Sequence, residues 1–292
     1  MRLSLLFLLL SFSVSAQTDL QQQIRRIAAD AHGKVSVACW MSHATLDCDL
    51  DPHAHPPMQS VFKLPLALTA LHLVEEGRFP LDQPIHFFLG DRILPETYSP
   101  LQDKYPEADV EVPLQELLRL STSLSDNVAA DIVLQVVGGP SAVNSYIASI
   151  GVTGFHLQDS EHILHRDPTA QYRNWFEPAG AVQLLGLISD HSPLTPEHTQ
   201  LVLKWMQDTP HGAHQLKGDL PPRTIVMHKT GSSGMVNGMT PATNDIGLIT
   251  LPGGRRLAVA VFITDSSADD ATRNGVMARI ARAAYDEALQ TK

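Results

Sequence analysis

The run from Val61 to Val74 constrains this chain more than any other stretch. It is apolar on nearly every face, broken by Lys63, Thr69 and His72. A helix with that pattern must be packed on all sides, and the run is too short to cross a bilayer. The spacing therefore predicts a buried helix at the centre of the fold. Pro65 is tolerated because the first turn of a helix has backbone donors without intrahelical acceptors. Ser60 opens the run three residues ahead of Lys63. Residues i and i+3 share a helix face, so hydroxyl and amine can meet there. A serine needs a neighbouring base and an oxyanion site to act as a nucleophile, and a lysine desolvated in a helical core can supply the base.

The chain has 292 residues, enough for a large core in one or two domains. Residues 1–16 carry one cation, Arg2, then the apolar stretch Leu3 to Leu10, then small residues ending at Ala16. This is the pattern of a cleaved secretory signal peptide, so the mature protein is expected to be exported and free of a membrane anchor. If the envelope is Gram-negative, its compartment is the periplasm. A formal charge of −10, with no basic block, excludes nucleic acid as a partner class. The two cysteines, Cys39 and Cys48, fall in the first expected hairpin. Export permits a disulfide between them, while directly opposed strand positions give awkward bridge geometry. The sequence leaves both states open.

Asp19 can cap a helix with Leu20, Ile24 and Ile27 on one face, ending near Gly33. Lys34 to Met41 and Leu46 to Leu50 then read as two strands of a hairpin. Helical patterns follow from the central run through Leu114 to Leu120, Val128 to Val137, Ser141 to Ile150, Ala179 to Ile188 and Glu197 to Met206. Strand patterns return at Thr224 to Thr230, Asp245 to Leu251 and Arg256 to Thr264, and a helix bearing Val276, Ile280 and Ala284 closes the chain. The expected fold class is α/β (α+β). One antiparallel five-stranded sheet, covered by the terminal helices, is built from 17–65 and 213–292, and an all-helical domain, 66–212, is inserted between them. A site would lie in the cleft between the lobes.

Two further motifs belong with Ser60 and Lys63. Ser125-Asp126-Asn127 stands at a helix junction, and Lys229-Thr230-Gly231 ends a late strand ahead of Ser232. Each alone is ordinary capping or turn chemistry. In the order S-x-x-K, S-D-N, K-T-G they form the signature of penicillin-recognising serine enzymes. Over nearly the whole mature chain the sequence resembles a class A serine β-lactamase. It is most similar to the extended-spectrum subgroup of the PER and VEB enzymes, through Gln59 to Leu64, Gln171 to Trp175, His228 to Gly231 and Ala242 to Asp245.

The resemblance implies the two-lobe fold, a monomer, a β-lactam substrate and no cofactor or metal. It makes Ser60 the acylated nucleophile, with Lys63 and Ser125 passing protons to and from the ring nitrogen. Lys229 and Thr230 would bind the substrate carboxylate and Asn127 its side-chain amide. Backbone N–H groups of Ser60 and Ser232 would form the oxyanion hole, and Tyr98 would line the cleft mouth. Glu161, in the long polar stretch 158–178, would activate the water that releases the acyl group.

The sequence departs from the common class A pattern in three places. Glu161-His162-Ile163-Leu164-His165 puts His165 where an asparagine usually helps hold the water. Gln59 is expected to hydrogen-bond His165 and brace the loop, because the usual Arg–Asp bridge has Asp159 and Asn174 at its two positions. Gln215 stands where relatives carry a carboxylate-binding arginine, leaving Arg223 and Arg273 as substitutes. The pairs His53/His55 and His162/His165 have spacings compatible with zinc but match no strong zinc signature, so a catalytic metal is not expected. Two other readings share the three motifs. They are a penicillin-binding D,D-peptidase and a non-catalytic β-lactam sensor that stays acylated.

Overall fold

The computed structural model describes residues 19–94 and 97–291; the expected signal peptide lies outside them. Along the chain run α1 (Asp19–Ala28), β1 (Lys34–Met41), α2 (Lys63–Glu75), β2 (Pro84–Phe87), α3 (Pro100–Lys104), β3 (Val110–Pro113), α4 (Leu114–Ser123), α5 (Asn127–Val136) and α6 (Pro140–Ser149). They are followed by β4 (Phe155–His156), α7 (Glu161–Arg166), β5 (Trp175–Phe176), α8 (Pro178–Asp190), α9 (Pro196–Gln207), β6 (Val226–Ser232), β7 (Thr240–Thr250), β8 (Arg256–Ser266) and α10 (Asp270–Gln290).

The main sheet is antiparallel in the order β1-β8-β7-β6. Both of its faces are covered, which explains why β8 reads as a continuous apolar run. Alternation sends Ala258, Ala260 and Phe262 into one core with α2, α4, α5 and α8. Leu257, Val259, Val261 and Ile263 go into a second core with α1 and α10. At Gly186 of α8 an added Cβ would lie 3.0 Å from the Trp40 ring, so a side chain there would push the helix off β1.

The sheet has four strands among the described residues, one fewer than expected. Leu46, Cys48 and Leu50 do alternate inward, but the segment meets β1 through backbone bonds only where Val37 and Leu50 exchange N–H···O contacts of 2.7 and 3.0 Å. One bridge satisfies the inward pattern without a ladder. Cys39 and Cys48 form a disulfide, with Cα atoms 6.0 Å apart, settling the question the sequence left open.

Ser60 also sits differently from the expectation. It lies not in the α-helix but in a 3₁₀ turn, Gln59–Phe62, that feeds α2. In such a turn residues i and i+3 eclipse, which aligns Ser60 with Lys63 more closely than an α-helical turn would. The stretch 158–178 is also more ordered than its polarity suggested, holding α7, a 3₁₀ turn at Ala170–Arg173 and β5.

Candidate active site

Three chain segments converge on Ser60. The first is the turn itself, with Gln59 held at φ 47°. The second is the α4–α5 junction, where Asp126 caps α5 through Ala129 N–H at 2.9 Å and also accepts from Ser99 Oγ and Leu101 N–H at 2.7 and 2.6 Å. That buried anchor fixes Ser125, at φ 59°, and Asn127 on either side of it. The third is β6, which passes so near that a Cβ on Gly231 would lie 2.6 Å from Met58 O and 3.1 Å from Ser60 N. Only glycine allows this strand to reach the turn.

Lys63 is completely buried. Its Nζ lies 2.9 Å from Ser60 Oγ, 2.9 Å from Ser125 O, 2.6 Å from Asn127 Oδ1 and 2.9 Å from Glu161 Oε1. An ammonium has three N–H donors and meets four oxygens here. Ser60 Oγ accepts from Lys63 and turns its own O–H toward Glu161 Oε1 at 3.4 Å. On the other side Lys229, equally buried, donates to Ser125 Oγ at 2.8 Å and Thr230 O at 2.9 Å. Burial, reinforced by the positive Lys63, holds the Lys229 ammonium well below the ordinary lysine range.

Two cavities flank the serine. One, about 380 Å³, is lined by Ser60, Ser125, Thr230 and Ser232 together with Tyr98, His211 and Gln215. The other, about 320 Å³, is lined by Gln59, Glu161, His165 and Gln171 and by the Ser232–Val236 turn. Asn127 faces both and donates to Thr97 Oγ1 at 2.7 Å. A larger cavity of about 650 Å³, around His53 and Tyr172, contains none of these residues.

Three expectations are corrected. Gln59 donates to Gln171 Oε1 at 2.6 Å, not to His165; it still ties the serine turn to the loop, because Gln171 in turn donates to Pro168 O. An Arg–Asp brace is present, moved by one residue. Arg173 grips Asp159 at 2.8 and 3.1 Å, while Asn174 accepts Gln158 and Asp159 N–H and donates to Asp159 O. Neither Arg223 nor Arg273 lines the cavities. Arg273 is buried with Thr243 Oγ1 at 2.9 Å and turns its remaining donors to Ala268 O and Asp270.

Sequence reasoning missed two residues at this centre. Asp131 lies beneath α7 and accepts Glu161 and His162 N–H at 2.8 Å each; an acid in the apolar run of α5 was a readable signal for it. His211, on the turn after α9, had no signal beyond a neighbouring glycine. Of the histidines considered for zinc, His53 and His55 contact Glu177 at 2.8 and 3.2 Å. Among the described residues no group of three or more His, Cys, Asp or Glu is placed to hold a metal ion.

Residues 19–288 match the model of the beta-lactamase enzyme family. This chain belongs to that family. It is 40% identical to the extended-spectrum beta-lactamase PER-1 of Pseudomonas aeruginosa over 281 residues, covering 96% of this chain and 91% of that protein. With beta-lactamase VEB-1 of Pseudomonas aeruginosa it shares 32% identity, covering 98% and 97%. The crystal structure of a beta-lactamase from Chitinophaga pinensis superposes with a TM-score of 0.89 at 40% identity, covering 93% of this chain and 100% of that one. That of the TLA-1 extended-spectrum beta-lactamase gives 0.90 at 35%, covering 94% and 100%. The chain is thus a class A β-lactamase by sequence and by fold.

Proposed function

We propose that this β-lactamase hydrolyses the β-lactam amide of penicillins and cephalosporins through an acyl-enzyme on Ser60, and so confers antibiotic resistance on its host. The observation that carries the reading is the position of Lys63 Nζ, 2.9 Å from both Ser60 Oγ and Glu161 Oε1. Ser60 Oγ attacks the carbonyl and its proton passes to the Lys63–Glu161 pair. As the ring C–N bond breaks, Ser125, held by Lys229, gives its proton to the departing nitrogen and is reprotonated from Lys63. Backbone N–H groups of Ser60 and Ser232 stabilise the oxyanion, each such donor being worth about 3 kcal/mol in comparable sites.

Water then attacks the ester. Glu161 takes a proton from it, the acyl C–O bond breaks, and Ser60 Oγ recovers its proton. His165 lines the deacylation side of the cleft and Tyr98 its mouth; Asn127 binds the side-chain amide, and Lys229 with Thr230 the carboxylate. The lobes are 17–65 with 213–292, and 66–212. The mature enzyme is an exported, periplasmic monomer without cofactor, and its extended-spectrum character is inferred from the names of its relatives.

The test mixes purified mature protein with a large excess of a chromogenic cephalosporin. Many turnovers, abolished by Ser60→Ala, are expected. One equivalent followed by a halt would replace this reading with that of an acylating sensor or penicillin-binding protein.

A further inference from the structure

The 380 Å³ cavity contains one lining side chain that can become cationic and for which the proposed mechanism has no use, His211. Its Nε2 lies 3.1 Å from Leu124 O and 3.4 Å from Tyr98 Oη, and its backbone N–H donates to Thr209 Oγ1. Gly212, at φ +70°, packs so close to β6 that an added Cβ would lie 2.7 Å from Thr230 and 2.8 Å from His228. With Nε2–H given to the Leu124 carbonyl, Nδ1 has no partner among the described residues. It becomes a donor once the ring is protonated.

We propose that protonated His211 is the second cationic group of the carboxylate subsite, acting beside Lys229; the inference rests on the β-lactam reading above. Lys229 commits two of its three N–H donors to Ser125 Oγ and Thr230 O, which leaves one for a two-oxygen anion. Gln215 carries no charge and Arg273 is engaged elsewhere. His211 supplies the missing charge and donor from the lining of the same cavity.

The charges around the ring give this subsite a pH dependence that a guanidinium would not have. Burial lowers the proton affinity of His211, the Leu124 carbonyl opposes that, and the positive charges of Lys229, Lys63 and His228 lower it further. The carboxylates of Glu161 and Asp245 act on Lys229 and that of Asp126 acts on Tyr98; none of the three hydrogen-bonds the ring. A bound carboxylate counteracts the lysine charges and raises the proton affinity of the imidazole. By linkage the anion binds more tightly as pH falls, tenfold for each unit by which it moves that pKa.

The test uses the mature Ser60→Ala protein, which cannot acylate, and measures the Kd of a cephalosporin and of its neutral methyl ester at about pH 5.5 and about pH 7.5. The acid is expected to bind about tenfold more tightly at the lower pH and the ester equally at both. Adding His211→Gln removes the difference for the acid and leaves the ester unchanged. On the unaltered ring, proton NMR shows the His211 titration moving upward when the acid is added. A pH difference that survives His211→Gln, one shown equally by the ester, or a titration unmoved by ligand overturns the role of His211. If the wild-type enzyme turns over no β-lactam, the functional reading itself fails and the inference fails with it. Normal turnover with no pH effect sinks the inference alone.

Discussion

The carboxylate of Asp131 caps the helix that carries Glu161, accepting the backbone N–H groups of Glu161 and His162 at 2.8 Å each. Burial, then the neighbouring Glu161, push the Asp131 carboxyl up to about 6 from an ordinary 3.8. The folded protein therefore binds this proton more tightly than the unfolded chain does. The stability it contributes is complete below about pH 4 and is lost as pH rises through about 6, on the order of 2–3 kcal/mol. In Asp131→Asn, urea unfolding between pH 4 and pH 7 should lose that slope relative to wild type. Asp131 meets the two N–H groups with separate oxygens, and the amide puts an NH2 donor in place of one of them. Identical pH profiles for the two proteins would remove Asp131 as the source.

Glu161→Ala should still acylate. With the base gone, steady-state turnover is expected to fall by about 10²–10⁴, and mass spectrometry should find the drug on Ser60. Turnover equal to wild type would show that another group activates the water.

Gly231→Ala tests the contact between β6 and the serine turn. A Cβ 2.6 Å from Met58 O and 3.1 Å from the Ser60 and Val61 nitrogens meets only backbone of the serine turn, so the strand must move. The expected cost is about 1–3 kcal/mol, seen as a lower Tm, with a larger proportional loss in kcat than in KM, because the shift separates Ser60 from Lys229 and Ser232. An active variant with unchanged Tm would mean that the strand yields freely there.

Gln59→Ala removes the hydrogen bond to Gln171. A loss of about 1 kcal/mol in stability and a slower deacylation step are expected, both read from single-turnover kinetics and denaturation midpoints. Arg173→Ala should cost less stability than Gln59→Ala, since the guanidinium is 41% exposed and its attraction to Asp159 is screened.

Cys39→Ser with Cys48→Ser opens a loop of sequence separation 9. Chain entropy puts the expected loss at about 2–3 kcal/mol, with kcat unchanged because neither cysteine lines the cavities beside Ser60. A fall in kcat without a fall in Tm would contradict this.

The sequence revealed most where a pattern had a single physical solution. The apolar run after Ser60 had to be buried, the alternating runs at both chain ends had to pair, and three short motifs in a fixed order had to meet. It failed where side-chain partners depend on loop paths. Gln59 can reach either His165 or Gln171, and only the backbone of 158–174 decides between them. Arg173 and Asn174 are adjacent, and no periodicity says which one turns toward Asp159. The Leu46–Leu50 segment shows the limit of pattern reading for strands, because inward alternation reports burial and not hydrogen bonding. His211 was silent for a related reason: its role comes from neighbours distant in sequence, namely Leu124, Tyr98 and Lys229.

The pairing of β1 with β8 joins Lys34–Met41 to Arg256–Ser266. A nascent chain therefore carries its first strand without its β8 partner until residues 256–266 have been made. Contacts so distant in sequence form late and slowly. The sheet cannot close before β8 has been made. For a chain expected to be threaded across a membrane before it folds, that order keeps the main sheet open until β8 emerges.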